Sequence, residues 1–465
     1  MIPILIALAA LGLLITAAYR GYSVIIFAPI AALLAVIATD PSLVAPIFSG
    51  LFMDKLAAFL RNYFPVFLLG AVFGKLFEMS GFSDGLVAGV LKLMGSHRAI
   101  PAVVIVCALL TYGGVSLFVV VFAAYPFAAS MFRRADIPKR LLPATVVLGG
   151  ATFTMDSLPG TPQIQNIIPT GVFGTTAWAA PVLGLIGAVF ILTVGLFYLE
   201  RARRTALARG EGYGVGHSNE PVLVEDDRPL TNPILALLPL CVVALTNLAL
   251  TALIPQFYSE SVVVDLPALA QPIVATRDSL VAIWAVEGAL IAGIATILAL
   301  SSRRILPTFA AQTKTAVSGA LLASMNTASE YGFGAVIAVL PGFLLIRDGL
   351  EAVPNPLVNE AVSITTLSAV TGSASGGLSI ALGALGDRFI ATAQAANISP
   401  EVLHRVASMA SGGMDTLPHN GAIITILAVT GLTHRQAYKD IFALTVLKTT
   451  AVFVVIAIYY ITGWV

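Results

Sequence analysis

The residues of this chain best placed to do chemistry are carboxylates set in apolar sequence. Asp156 lies in Met155-Asp156-Ser157-Leu158-Pro159, and that stretch returns as Met414-Asp415-Thr416-Leu417-Pro418 with four of five residues identical. A charge at the centre of a bilayer costs about 2.5–3.5 kcal/mol on insertion scales, and carboxylates kept there mark ion pathways and proton relays. A desolvated carboxylate can bind and release a proton near physiological pH. Once protonated, it also stops repelling an anionic substrate. Asp156 and Asp415 are therefore candidate proton-coupling groups, and Glu330 in Asn326-Thr327-Ala328-Ser329-Glu330-Tyr331-Gly332 is a third. His419, four residues after Asp415, could share the proton. The competing reading is that the two aspartates only cap broken helices.

Pro159 and Pro418 lack the N–H that a continuing helix needs. Proline is comfortable in the first turn of a helix, where that N–H is unpaired anyway. Asp-Ser/Thr-Leu-Pro is therefore expected to open a new half-helix, with Asp or Ser/Thr as its cap. The free N–H groups and the positive dipole end of such a helix favour an anion. Ser157, Thr161, Gln163, Thr416, His419 and Asn420 supply hydrogen-bonding side chains around the two breaks. Glycine-rich breaks at 113–116 and 375–379, with Gly114, Ser116, Gly377 and Ser379, can bring further groups to the same place.

These residues need a frame, and composition says which. Of 465 residues, 58% are hydrophobic and 11% are charged, with a mean hydropathy of +0.94. Soluble chains carry about a quarter charged residues. The chain reads as an all-α polytopic membrane protein, with about 10–14 spans of roughly 20 residues each. Its 40 glycines and 26 prolines mark close helix packing and broken helices, including re-entrant hairpins. A net charge of +1 and the lack of a basic tail leave no surface for nucleic acid. No zinc-like spacing is present, no metal or cofactor is expected, and Cys107 and Cys241 read as small packing residues. Residues 1–19 lack the basic start of a signal peptide and read as a first span.

Along the chain, Leu43–Leu60 is interrupted by Asp54 and Lys55 and is expected along the interface. Lys75 and Glu78 are three residues apart, close enough to neutralise each other on one helical face. Arg133–Arg140 is a basic linker, and Asn397–Arg405 is its expected counterpart. Glu200–Leu230 is the one long hydrophilic stretch. Its early Arg201-Ala202-Arg203-Arg204 cluster places it in the cytoplasm. Ile441–Val465 reads as a plain final span, and Glu287 as a structural carboxylate.

The two halves match in order. Gly113-Gly114-Val115-Ser116 matches Gly376-Gly377-Leu378-Ser379 at an offset of 263, Pro138 matches Pro400 at 262, and the aspartate motifs match at 259. Asn62 and Gly70-Ala71-Val72 match Asn326 and Gly334-Ala335-Val336 at 264. Residues 1–200 and 231–465 are thus expected to be two copies, joined by a linker at 201–230. The basic linker of the first half has a weakly basic counterpart in the second. By the positive-inside rule the copies are inverted, an arrangement that holds substrate near the midplane between broken helices.

With these residues in hand, the chain resembles the gluconate:proton symporter family of the ion transporter superfamily. The resemblance rests on Gly113-Gly114-Val115-Ser116, on Met155 to Gln163, and on Gly412-Gly413-Met414-Asp415-Thr416-Leu417-Pro418-His419-Asn420-Gly421. It is nearest to the hydroxybutyrate-permease-like branch. The resemblance implies proton-coupled symport of a small organic monocarboxylate, such as 3-hydroxybutyrate or gluconate. It also implies a homodimer in the inner membrane, with a scaffold part and a mobile part. Sodium coupling is the alternative, followed by a membrane-embedded aspartyl hydrolase and a channel. No enzymatic activity is expected.

Overall fold

The computed structural model of the chain describes residues 2–20, 22–94, 98–115, 117–221, 231–265, 272–342, 353–371, 373–418 and 420–465. These residues are almost wholly helical, as composition dictates. The first half carries α1 (Ile2–Tyr19), α2 (Val24–Thr39), α3 (Met53–Met79), α4 (Phe82–Met94), α5 (Ala99–Tyr112) and α6 (Leu117–Arg134). It continues with α7 (Leu142–Gly150), a single turn α8 (Phe153–Asp156), α9 (Ile164–Phe173) and α10 (Pro181–Ala208). The second half carries α11 (Pro233–Phe257), α12 (Arg277–Ile305), α13 (Phe309–Val339), α14 (Pro356–Thr371) and α15 (Ala374–Ala395). It closes with α16 (Pro400–Gly412), a 3-10 turn at Gly413–Thr416, α17 (Gly421–Thr430) and α18 (His434–Thr462). An antiparallel hairpin of β1 (Ser261–Val264) and β2 (Ile273–Thr276), with Ser261 opposite Thr276, sits in the polar loop between α11 and α12.

Among the described residues, five helical segments are long and apolar enough to cross a membrane. They are 41–79, 181–208, 233–257, 280–339 and 434–462, and the fourth contains two helices, α12 and α13. Large apolar side chains such as Leu185, Phe197 and Leu245 are exposed along them, as lipid-facing positions require. Residues 53–60, expected along the interface, are the first turns of α3. A run of short 3-10, α and π turns over 41–52 feeds directly into that helix. Helix α10 continues through Ala208, into the stretch expected to be linker.

The helices pack as two groups. One joins α1, α2, α3, α4, α11, α12 and α13, with α3 along α13 and α11 along α12. The other joins α5 to α10 with α14 to α18. The groups meet mainly where α13 packs on α15, with smaller contacts of α12 on α9, α4 on α5 and α6, α3 on α6, α11 on α5 and α1 on α14.

Within the second group the same devices occur twice. Helix α6 ends at Asp136 in the left-handed conformation (φ 48°), with Ile137 N–H donating to Phe132 O at 2.8 Å. Helix α15 ends at Asn397 (φ 55°), with Ile398 N–H donating to Ala393 O, also at 2.8 Å. Asp and Asn tolerate this conformation because their short polar side chains bond locally. After each comes a helix, a break holding the aspartate motif, and a ten-residue helix. Those ten-residue helices, α9 and α17, end at left-handed Gly174 (φ 63°) and Gly431 (φ 66°). Helices α10 and α18, 28 and 29 residues long, follow.

The hydrophilic stretch after α10 docks on the basic linker. Lys139 pairs with Glu220 at 2.7 Å, and Arg140 with Glu211 at 2.6 Å and with Asp440 at 2.8 Å. Asn219 donates to Ala428 O of α17 at 2.8 Å. Lys75 and Glu78 meet at 3.0 Å as their spacing predicts.

Candidate transport site

The first motif ends a helix instead of opening one. Its single turn α8 closes with Ser157 N–H and Leu158 N–H both donating to Phe153 O, at 3.1 and 2.9 Å. Pro159 then stops the chain from continuing, a common place for proline just past a helix end. Helix α9 restarts only at Ile164, with Gln163 at the cap position and no side-chain cap bond. The second motif behaves alike: Asp415 and Thr416 sit in a 3-10 turn, and α17 starts at Gly421. The expected capping role of Asp156, Asp415 and the adjacent hydroxyls is therefore corrected. Proline suits both ends of a helix, and here the helix ahead of it had not finished.

The glycine-rich break of each half wraps that half's motif. Gln163 Nε2 donates to Thr111 O at 2.7 Å, and Tyr112 Oη donates to Pro159 O at 2.9 Å. Gly114 (φ 94°) turns the chain against Pro162, where an added Cβ would stand 3.2 Å from the proline ring. Thr161 is buried, with its hydroxyl unpartnered. In the second half, Ser373 caps α15 by accepting from Gly376 N–H at 3.1 Å. A Cβ on Gly376 would collide with the Glu330 carboxylate, so α13 brings Glu330 against this break. Gly377 lies flush on Ser368, and Ser379 is buried with an unpartnered hydroxyl.

Asp156 is 1% exposed. Its Oδ1 accepts from Ser157 Oγ at 2.8 Å, and its Oδ2 faces Lys448 Nζ at 3.2 Å as an ion pair without a well-aligned hydrogen bond. Lys448 is equally buried and also donates to Ala151 O at 2.7 Å. The backbone carbonyl of Asp156 accepts from Arg405 Nη1 at 3.0 Å and from Ser408 Oγ at 2.9 Å. Arg405 further donates to Asn166 Oδ1 at 3.0 Å and to Ala179 O at 2.7 Å. His404 bonds Thr175 Oγ1 at 2.6 Å and Asn166 Oδ1 at 3.2 Å.

Asp415 is partly exposed. Its Oδ1 accepts from Asn420 Nδ2 at 2.7 Å and from Ala374 N–H at 3.4 Å. Asn420, the cap of α17, turns its own Oδ1 to Ala422 N–H at 2.7 Å. Thr416 Oγ1 is engaged with Thr445 Oγ1 at 2.6 Å. A cavity of about 210 Å³ opens beside this motif, lined by Met414, Leu417, Thr445 and Thr449 among others. The two motifs meet at Gly412, where an added Cβ would collide with Asp156 Oδ2 and lie 3.1 Å from Lys448 Nζ. Glycine is thus required there for the close approach of the first aspartate to the end of α16.

The structure therefore gathers Gly114, Asp156, Ser157, Thr161 and Gln163 around the first break, and Glu330, Gly377, Ser379, Asp415, Thr416 and Asn420 around the second. Ser116 and His419 lie outside the described residues. Three residues escaped the sequence reading. Lys448 sits in the stretch 441–465 read as the final span, where a single cation was the signal. His404 and Arg405 were placed in a linker, which in fact ends at Ser399. That serine caps α16 by accepting from Glu401 N–H, with Pro400 in the first turn, and both are helix-start signals.

No family model matches the chain. Over 470 residues it is 53% identical to YxjC of Bacillus subtilis (strain 168), an uncharacterized transporter, with 99% of each chain covered. Among solved structures it resembles the YdaH transporter of Alcanivorax borkumensis, with a TM-score of 0.56 and 17% identity over 89% of this chain and 88% of that one. It also resembles MtrF of Neisseria gonorrhoeae, described with a class of antimetabolite efflux pumps, with a TM-score of 0.50 and 13% identity over 88% and 83% of the two chains. At these identities the two structures speak for the arrangement of helices alone.

Proposed function

The chain belongs to the transporter family of Bacillus subtilis YxjC, and from that premise we propose that it is a secondary active transporter carrying a small organic monocarboxylate together with a proton. The observation that carries this reading is the buried Asp156–Lys448 pair, set between two helix breaks. While Asp156 is ionised, Lys448 is neutralised from within. A proton on Asp156 leaves Lys448 as a buried cation, and a substrate carboxylate then restores neutrality. Proton alone or anion alone leaves one uncompensated buried charge, which is costly, so the two are bound together. The uncapped N-terminus of α9 adds a positive dipole end to the same region. Asp415 and Glu330 at the second break are the further proton-coupling candidates.

The repeated devices of α6–α10 and α15–α18 support two inverted copies, residues 1–200 and 231–465, around a cytoplasmic linker at 201–230. The grouping of helices supports a scaffold part and a moving part. We place the protein in the inner membrane as a homodimer, of the gluconate:proton symporter type, with a hydroxy acid such as 3-hydroxybutyrate or gluconate as substrate.

Reconstitution into proteoliposomes tests this. An inward proton gradient should accumulate labelled 3-hydroxybutyrate, and a panel of small monocarboxylates should compete. Accumulation driven only by a sodium gradient at fixed pH would sink the proton-coupled reading. Non-saturable flux would point to a channel, and substrate turnover without accumulation to an enzyme.

A further inference from the structure

The carboxylates at the two breaks all have partners. Asp156 has Lys448 and Ser157, Asp415 has Asn420 and Ala374 N–H, and Glu330 is bonded by Ser373. Glu360, in the second turn of α14, differs. It is 0% exposed, and neither carboxylate oxygen has a hydrogen-bond partner among the described residues. One turn on, Ser363 is equally buried and its hydroxyl is also unpartnered.

Among the described residues, the surrounding elements supply no counter-charge. Helix α14 carries no other titratable residue, and α1, packed against it, carries no Asp, Glu, Lys, Arg or His. Helix α15 brings Asp387 and Arg388, neither within ion-pair distance of Glu360. On α16, Glu401 accepts from Ala180 N–H, His404 is held by Thr175 and Asn166, and Arg405 is committed to Asp156 O, Asn166 and Ala179 O. In the 3-10 turn, Asp415 faces Asn420. On α18, Lys448 faces Asp156, Asp440 faces Arg140, His434 bonds Pro418 O, Tyr438 bonds Thr416 O and Tyr460 bonds Asn355. Arg435, Lys439 and Tyr459 complete the titratable groups of that helix, and none of them reaches Glu360.

An ionised carboxylate in this place would be uncompensated, whereas a neutral acid is tolerated. Even the neutral acid leaves buried polar atoms unpaired, so a hydrophobe of the same size would serve this conformation better. What Glu360 contributes must therefore lie in another conformation of the cycle. We propose that Glu360 is a second proton-carrying site, protonated in the conformation described here and ionised when the moving helices bring it to water or to a cation. The step is a proton taken from water on one side and returned to water on the other, with no covalent change to the substrate. The proposal rests on the proton-coupled reading above.

The test uses wild-type protein and Glu360→Gln in proteoliposomes, with 3-hydroxybutyrate as the probe. A one-unit pH gradient contributes about tenfold in accumulation for each coupled proton. Glu360→Gln should lower the accumulation limit by about that factor, while exchange of the probe at equal pH stays close to wild type. Infrared difference spectra of the purified protein should show one protonated-acid C=O band missing in Glu360→Gln and shifted in Glu360→Asp; the Asp variant keeps the test valid if the Gln variant fails to fold. Wild-type accumulation by Glu360→Gln, an equal loss of exchange, or an unchanged C=O region each overturns the proposal. Absence of pH-driven uptake by the wild-type protein sinks the proton-coupled reading itself, a different outcome from failure of Glu360 alone.

Discussion

Met155–Pro159 and Met414–Pro418 differ only by one hydroxyl-for-hydroxyl exchange, yet their aspartates live in different surroundings. Asp156 is 1% exposed, paired with Lys448, and anchored through its carbonyl by Arg405 and Ser408. Asp415 is partly exposed and takes hydrogen bonds from Asn420 and Ala374 N–H, and its neighbours Met414 and Leu417 line a cavity of about 210 Å³. The helix after the first motif has no side-chain cap, and the helix after the second is capped by Asn420. The same five residues thus make a locked charge pair in one half and a hydrogen-bonded turn at a mouth in the other. The cause lies outside the motifs. Arg405, Ser408 and Lys448 all come from the second half and all serve the first motif, and no reciprocal cation from the first half reaches Asp415 among the described residues.

The largest expected effect follows from that asymmetry. Removing one partner of a buried ion pair costs about 3–5 kcal/mol, because the other charge is left uncompensated. Asp156→Asn and Lys448→Met should each destabilise the protein by about that much, and the double variant should recover most of the loss. Asp415→Asn loses a hydrogen bond at a partly exposed group and should cost about 0.5–1.5 kcal/mol. Thermal unfolding in detergent reads all four. Equal losses for Asp156→Asn and Asp415→Asn would mean that the motif, and not its neighbours, sets the role. Next in size, Arg405→Lys replaces a planar fork by a point charge and cannot serve Asp156 O, Asn166 and Ala179 O together. It should cost about 1–3 kcal/mol for the acceptors left unpaired. A loss well below that range would show that water or backbone shifts replace the guanidinium.

Smaller again is the second motif's own device. Asn420→Ala removes a helix cap and should cost about 1 kcal/mol, with Asn420→Asp restoring the cap and Asn420→Gly losing little. Because Asn420 also holds Asp415, the alanine variant should reduce pH-driven uptake more than its stability loss explains. Uptake that merely tracks the amount of folded protein would reduce Asn420 to a cap.

The two motifs, the glycine breaks that hold them and Glu330 were legible in the sequence because each is anomalous where it stands: a carboxylate, a proline or paired glycines in apolar runs. The partners were less legible. Lys448 was hidden because one lysine among the apolar residues of 441–465 barely changes the hydropathy of that stretch. Glu401, His404 and Arg405 look like a solvated linker by composition. From Val402 onward every residue of the helix they belong to is buried, so Arg405 faces backbone carbonyls that sequence cannot place. Ser399-Pro400-Glu401 was the readable sign of its start. The direction of the breaks was also hidden, since proline is at home at either end of a helix.

The smallest effect contrasts the buried pair with a partly exposed one. Hydrogen bonds from Arg140 hold the Glu211 carboxyl below its ordinary value, against the opposing effect of partial burial. The lowered folded-state value means that this contact adds stability above the usual carboxylate range and loses it as pH falls through that range. With both side chains about a third exposed, solvent screening holds the contribution to about 0–1 kcal/mol, falling with salt. Glu211→Gln should therefore speed hydrogen exchange across residues 209–221 at neutral pH and low salt. In acid, or at high salt, wild type and variant should converge. Asp156→Asn offers the opposite pattern, because its pair is shielded from solvent and its loss should persist at any salt concentration. Salt-sensitive destabilisation in Asp156→Asn would mean that water reaches Lys448, and the first motif would then be as open as the second.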